Sequence, residues 1–146
     1  DALLEAAELL LRQANAGGPS GRYQIEAAIQ SAHTVRRRSG APTWPAIVAL
    51  YDHLYRLTHS PVVILNRAAA RAELEGPDTA LAEIAPLAAD KRMAGYQPYW
   101  AAKGHLAARA GLKDEAHEAF TLAIGLATDP AVRQYLQRQL EALRDG

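Results

Sequence analysis

The chain has 146 residues, 49% hydrophobic and only 6% aromatic, with no cysteine; that length predicts a single domain over residues 1–146, and the abundance of alanine and leucine favours helix. Sixteen basic against sixteen acidic residues give a formal charge of zero, which argues against direct DNA binding, because phosphate neutralisation supplies most of the non-specific affinity. Without cysteine no disulfide, thiolate zinc site or cysteine nucleophile is available, and no apolar run approaches the roughly 18 residues of a membrane span, so a cytoplasmic setting is expected.

The chain opens on Asp1, straight into a helical pattern, and is expected to be the C-terminal part of a longer polypeptide. From Ala2 to about Ala14, Leu3, Leu4, Leu10 and Leu11 alternate with Glu5, Glu8 and Arg12 at the spacing of an amphipathic helix. Asn15 to Gly21 is loop chemistry, rich in glycine and proline. Arg22 to Arg38 reads as a longer helix with Tyr23, Ala27, Ile29 and Val35 among its apolar positions. It ends in Arg36-Arg37-Arg38, either a solvated helix C-terminus favoured by the helix dipole or a phosphate site. After a turn over Ser39 to Pro42, Thr43 is the expected N-cap and Pro45 falls in the first turn of a helix carrying Ile47, Leu50, Tyr51, Leu54 and Leu57.

Ser60-Pro61 opens the next helix, which runs to Leu74, and Gly76-Pro77-Asp78 starts another with Asp78 as its expected cap. Pro86 inside that pattern predicts a kink or an early end. Asp90 to Gln97 is a connector with one helical turn around Lys91 to Met93. In the stretch that follows, Trp100, Gly104, Ala107, Gly111, Ala116, Phe120 and Ala123 stand at the spacings of a tetratricopeptide (TPR) repeat, a helical hairpin of about 34 residues. Gly104 and Ala116 are expected at the close helix crossing, Trp100 and Phe120 in the wider space, and Gly111 in a left-handed cap; Ala107 stands where the repeat usually has tyrosine. Turn glycines at Gly40, Gly76 and Gly111 recur at a near-constant period. Thr128-Asp129-Pro130 begins a last helix to about Arg144, with Val132, Tyr135, Leu136, Leu140 and Leu143 as its buried stripe. The expected fold is all-α: a TPR-like superhelix of about three antiparallel hairpins, with a leading helix and a C-terminal capping helix.

Sites of chemistry are sparse. The five histidines form no H-E-x-x-H and no metal-ligand spacing with carboxylates. No G-x-S-x-G elbow, Walker loop or G-x-G-x-x-G is present, and the glycine-rich run Gly17 to Gly21 reads as a connector. No enzymatic activity, metal, cofactor or small-molecule substrate is expected. Function is expected on the surface instead, in the groove that the first helices of stacked hairpins line. With Gly104 at the close-packed position, His105 and Arg109 face that groove; the same register at Ala69 places Asn66 and Glu73 there, with Glu26 and His33 as approximate equivalents one hairpin earlier. The pair Asn66 and Arg67, in an otherwise apolar helix, leaves two readings. Either Asn66 bonds a neighbouring turn while Arg67 faces solvent, or the pair contributes to the groove and Asn66 bonds the backbone of a partner.

Five runs carry a resemblance beyond the repeat: Gly21 to Ile29 (G-R-Y-Q-I-E-A-A-I), Ala49-Leu50-Tyr51, Ser60 to Ala68 (S-P-V-V-I-L-N-R-A), Ala94-Gly95-Tyr96, and Gly111 to Ala123. In this order they resemble the C-terminal extension of one group of bacterial extracytoplasmic-function (ECF) sigma factors. There a TPR-like domain follows the two sigma regions that bind RNA polymerase and promoter DNA. The resemblance implies a cytoplasmic accessory domain of transcription initiation. Its implied partners are the sigma regions of the same chain and/or core RNA polymerase. The residues alone also fit a free-standing TPR adaptor that grips a peptide of an unrelated partner.

Overall fold

The structure, a computed structural model, describes residues 20–39 and 43–145. The expected first helix, Ala2 to Ala14, lies outside the described residues, as does most of the loop after it. What is described is all-α, with no strand among the described residues. In chain order the helices are α1 (Ser20–Ser39), α2 (Trp44–Thr58), α3 (Pro61–Glu75), α4 (Pro77–Ile84), a 3₁₀ segment (Ala85–Ala89), α5 (Lys91–Ala94), α6 (Gln97–Arg109), α7 (Lys113–Leu126) and α8 (Pro130–Asp145). The chain folds as two compact units, one reaching Leu74 and the other beginning at Glu75.

In the first unit α1 turns a stripe of Ile25, Ile29 and Ala32 inward. Ile25 and Ile29 pack with Ala46, Leu50 and Leu54 of α2 and Val63 of α3, while Ala32 meets Ile47 and Ala70. The spacing of these residues, three and four apart, is what holds one face of each helix against its neighbours. Thr43 occupies the N-cap of α2, but its side chain caps nothing: its hydroxyl is buried without a hydrogen-bond partner. Pro45 and a hydrogen bond from Ile47 N–H to the Thr43 carbonyl (3.1 Å) start the helix instead. α2 stops at His59, which adopts a left-handed φ of 50° and donates its N–H to the Tyr55 carbonyl at 2.7 Å. The cap at Ser60 forms as the sequence predicts, its hydroxyl accepting from Val62 N–H at 3.2 Å. The register expected along α3 is shifted by one residue. Ala68 is fully buried and Ala69 is exposed.

In the second unit, the cap of α4 is Gly76 with φ 92°, and Asp78 falls inside the first turn, so the expected Asp78 cap is corrected by two residues. Only glycine takes that φ readily, and it leaves Pro77 at the first helical position, where proline loses no hydrogen bond. The α-helix ends at Ile84 and tightens into the 3₁₀ segment around Pro86, as a ring that clashes with the preceding turn requires. Asp90 then caps the single turn of α5 by accepting from Arg92 N–H at 2.9 Å.

α4 and α7 both pack on α6, and α8 packs on α7. α6 ends in a six-residue cap around Gly111 (φ 81°): Gly111 N–H donates to the Ala108 carbonyl (3.1 Å) and Leu112 N–H to the Ala107 carbonyl (2.9 Å), the paired bonds of a glycine-terminated helix. Gly104 lies directly against the ring of Phe120. A Cβ built on Gly104 would sit 2.7 Å from Phe120 Cδ1 and 3.0 Å from its Cγ. Around this contact the interior is made of small residues, Ala107, Ala116, Ala123 and Ala127, closed by Phe120 and Leu136. The large plug in α6 is Tyr99, only 1% exposed. Trp100, expected to fill the space, is half-buried and ties its indole N–H to the Ala94 carbonyl at 2.9 Å. In α8 Leu136 is buried as expected, but Tyr135 is 44% exposed rather than part of the stripe.

Candidate functional site

A cleft of about 380 Å³ opens in the first unit, with one stripe from each of three helices. α1 contributes Arg22, Glu26, Ile29 and Gln30; α2 contributes Tyr51, Leu54 and Thr58; Ser60 and the start of α3 contribute Ser60, Val62, Val63 and Asn66. Burial orders these residues by depth. Ile29, Leu54 and Val63 are buried and form an apolar base. Arg22, Gln30 and Asn66 are exposed at the rim, with Glu26 half-buried beside them. Helical periodicity explains the arrangement: Arg22, Glu26 and Gln30 are four residues apart, hence stacked on one face of α1.

The polar groups of the cleft differ in how far they are already used. Arg22 Nε donates to Glu26 Oε1 at 3.1 Å, so the two formal charges neutralise each other at the rim. Thr58 Oγ1 donates to the Leu54 carbonyl at 3.0 Å, and the Ser60 hydroxyl is occupied by Val62 N–H. Burial pushes the Tyr51 phenol above its ordinary value, keeping it protonated. Chemically the cleft offers apolar contact, one self-neutralised ion pair and the two primary amides of Gln30 and Asn66. Such a set suits binding of an uncharged, hydrogen-bonding surface.

Of the residues expected in a groove, the structure brings Glu26 and Asn66 together in this cleft. Asn66 is exposed, and Arg67 is not the solvent-facing residue of the first reading: its guanidinium reaches Asp52 Oδ1 at 2.9 Å and lies 5.4 Å from the Tyr55 ring centre, tying α3 to α2. Arg71 approaches the same carboxylate at 3.8 Å. Glu73 is exposed, two turns beyond Asn66 on α3. His33 is half-buried with its ring edge-on to Trp44, 6.0 Å between centres, and Arg36 stacks 4.5 Å over the same indole. Burial, with Arg36 and Arg37 adding to it, lowers the His33 pKa.

The other two residues, His105 and Arg109, are on α6 of the second unit. His105 stands edge-on to Phe120 at 5.2 Å and its Nε2 lies 3.4 Å from the Tyr135 hydroxyl, so it packs toward α7 and α8. Burial lowers its pKa. Arg109 is exposed in the last turn. Sequence reasoning missed Gln30, Tyr51, Thr58 and Ser60 as cleft residues. A signal for Gln30 was present, since it continues the Arg22–Glu26 row by one more turn beside the buried Ile25–Ile29 stripe. Among the described residues no group of three or more histidine, aspartate or glutamate side chains is placed to hold a metal ion. No described helix is long and apolar enough to cross a membrane.

Among known proteins, this chain is similar to "Uncharacterized protein R00370" of Rhizobium meliloti (strain 1021), with 43% identity over 123 residues. The match takes in 84% of this chain and 29% of that protein, so the chain spans about three tenths of its relative's length. No protein-family profile matches the chain, and no solved structure matches it.

Proposed function

We propose that this chain is the accessory protein-interaction domain of an ECF-type RNA polymerase sigma factor. It acts in bacterial transcription initiation by contacting the sigma regions of its own polypeptide or core RNA polymerase, in the cytoplasm and without catalysis. The observation that carries this reading is the composition of the cleft. Eight of its eleven lining residues fall within three of the runs that resemble the sigma-factor extension, Gly21 to Ile29, Ala49 to Tyr51 and Ser60 to Ala68. Runs separated in sequence thus meet at one cleft, with Arg22, Glu26 and Asn66 from two of them at its rim. The length of the relative fits as well, because a matching segment there is embedded in a much longer polypeptide. The glycine-capped α6–α7 hairpin, with Gly104 against Phe120, supports a TPR-like stack of hairpins as the scaffold.

The test is in vitro transcription from the cognate promoter by the full-length protein, intact and with residues 20–145 deleted. Loss of transcript, with the separate 146-residue chain retained by the sigma regions or by core polymerase, is the expected result. Equal transcription and no such retention would remove the sigma-factor role and leave the peptide adaptor. The chain alone is expected not to shift duplex DNA at physiological salt, given its zero formal charge.

A further inference from the structure

We propose that the end of α1, where Arg36, Arg37 and Arg38 adjoin Trp44 of α2, docks a run of neighbouring carboxylates on a partner protein. This rests on the reading of the chain as a protein-interaction domain and names the chemistry that the domain recognises. The three arginines stand in the last turn of α1, and the reading as a solvated helix end fails at Arg36. That residue is half-buried, its guanidinium lies 4.5 Å from the centre of the Trp44 ring, and its Nε is buried without a hydrogen-bond partner. Trp44 is itself held in place: it packs against the Ala32, Ile47 and Ala70 cluster, and His33 meets it edge-on at 6.0 Å. Stacking on so fixed a ring orients the guanidinium before a partner arrives, so less side-chain freedom is lost when its N–H groups meet a carboxylate. Arg37 and Arg38, both exposed, extend the positive surface into solvent.

Charge complementarity sets the sign of the partner. Between residues 20 and 74 the chain carries seven arginines and no lysine, against three carboxylates, Glu26, Asp52 and Glu73. Glu26 pairs with Arg22, while Asp52 pairs with Arg67 and is approached by Arg71. Among the described residues no ion pair joins Arg36, Arg37 or Arg38 to a carboxylate. The helix dipole supplies about half an elementary negative charge at that end, well short of three guanidinium groups. Carboxylates from outside relieve the remaining repulsion and match the planar N–H fork of arginine. A protein fits this patch better than a nucleic acid does. The indole is taken up by Arg36 and the core rather than offered to a base for stacking, and the zero formal charge of the chain gives a long polyanion little attraction at a distance.

The probe is an acetylated and amidated serine peptide with a run of adjacent glutamates, titrated in phosphate-free buffer into the isotope-labelled 146-residue chain. NMR of the arginine Nε–H and tryptophan indole N–H groups follows it. A peptide with glutamines in place of the glutamates and an oligothymidine of equal charge are the controls. The expected result is saturable movement of the Arg36 and Trp44 signals with the glutamate peptide, several-fold larger than at Arg56, an exposed arginine in the last turn of α2. The glutamine peptide should leave those signals in place and the oligothymidine should bind more weakly. Affinity for the glutamate peptide should fall several-fold as salt rises from about 50 to about 300 mM. Arg37→Gln/Arg38→Gln changes two exposed side chains, so its backbone spectrum should overlay on the parent while affinity falls about tenfold. No movement at Arg36 and Trp44, equal movement at Arg56, equal binding of the glutamine peptide, equal or tighter binding of the oligothymidine, or parental affinity in the double variant would overturn the proposal. The transcription assay above is independent of these probes. A patch that ignores the glutamate peptide in a domain that transcription needs ends this proposal alone, and a patch that binds it in a domain that transcription ignores ends only the sigma-factor reading.

Discussion

Replacing Gly104 with alanine sets two known effects against each other at one atom. A helical glycine exchanged for alanine gains about 1 kcal/mol from backbone entropy. The new methyl, however, would stand 2.7 to 3.0 Å from three carbons of the Phe120 ring. The ring cannot swing clear: Phe120 is 1% exposed, packed by alanines on its own helix, and met edge-on by His105. One of the three carbons is Cγ, at the root of the side chain, so relief needs the helices themselves to separate. Overpacking of this kind costs about 1–3 kcal/mol, and clashes with three ring atoms belong in the upper half of that range. The net expectation is destabilisation by about 1–2 kcal/mol, a fall in melting temperature of about 2–8 °C for a chain of this size. Circular dichroism melting measures it. Phe120→Leu in the same background supplies the control, because it removes Cε1 and the planar ring. The double variant should be more stable than the sum of the single effects by at least about 1 kcal/mol. A higher melting temperature for Gly104→Ala, or strict additivity with Phe120→Leu, would refute the close crossing as the reason for glycine at this position.

The histidines predict the acid side of the stability curve. Burial holds His33, His53 and His105 below the ordinary value of about 6.5. The unfolded chain therefore binds more protons in that window, and stability present above pH 7 falls as the pH drops through 6.5 toward the lowered values; melts at pH 7.5 and 5.5 should differ in that order, and equal melts would contradict it. His53 is 5% exposed with Nε2 unpartnered, so His53→Leu should lessen the acid loss while costing little at pH 7.5, as thermal melting of the variant at both pH values can check. Arg67→Ala removes a part-exposed ion pair and a cation–π contact and should cost about 1 kcal/mol, less at high salt, in urea titration. Trp100→Phe deletes the indole bond to the Ala94 carbonyl and should cost about 1 kcal/mol by the same measurement.

The residues that sequence reading placed well are those whose role is set within one turn of helix. Ser60 caps α3, Pro86 ends α4, and Gly111 takes the left-handed cap, because each depends on local geometry that the residue type imposes. The misplacements have a common cause in tertiary packing. Asp78 is a good cap by type, but Gly76 with Pro77 already fixes the helix start two residues earlier. Ala69 and Ala68 are indistinguishable by composition, and only the neighbours decide which is covered. Tyr99 and Trp100 both suit an interior; the one that is buried leaves the other free to reach Ala94. Helix α2 ends at His59 in a conformation that favours glycine, so the stop was marked only by Pro61 two residues on. Of the cleft, Glu26 and Asn66 were read from helical spacing, while Arg22 and Gln30 in the same α1 row were not. The α2 contributions were not, since Tyr51 and Thr58 face it only because α1 and α3 stand on either side.

The alanine-built interior of the second unit has a consequence for how this protein tolerates change. An alanine core has almost nothing to lose by truncation: from Ala107, Ala116, Ala119 or Ala123, all at most 1% exposed, the sole smaller choice is glycine. Nearly every accessible substitution there adds volume, and added volume at a close crossing separates helices. The large plugs are the reverse case. Tyr99, Phe120, Ile84 and Leu136 can be trimmed, and each trimming leaves a void whose cost grows with its size. Damage from random mutation should thus come in two distinct forms in the same unit, steric at the alanines and cavity-forming at the plugs. The first is relieved by shrinking a neighbour and the second by enlarging one, so compensating changes should run in opposite directions along α6 and α7.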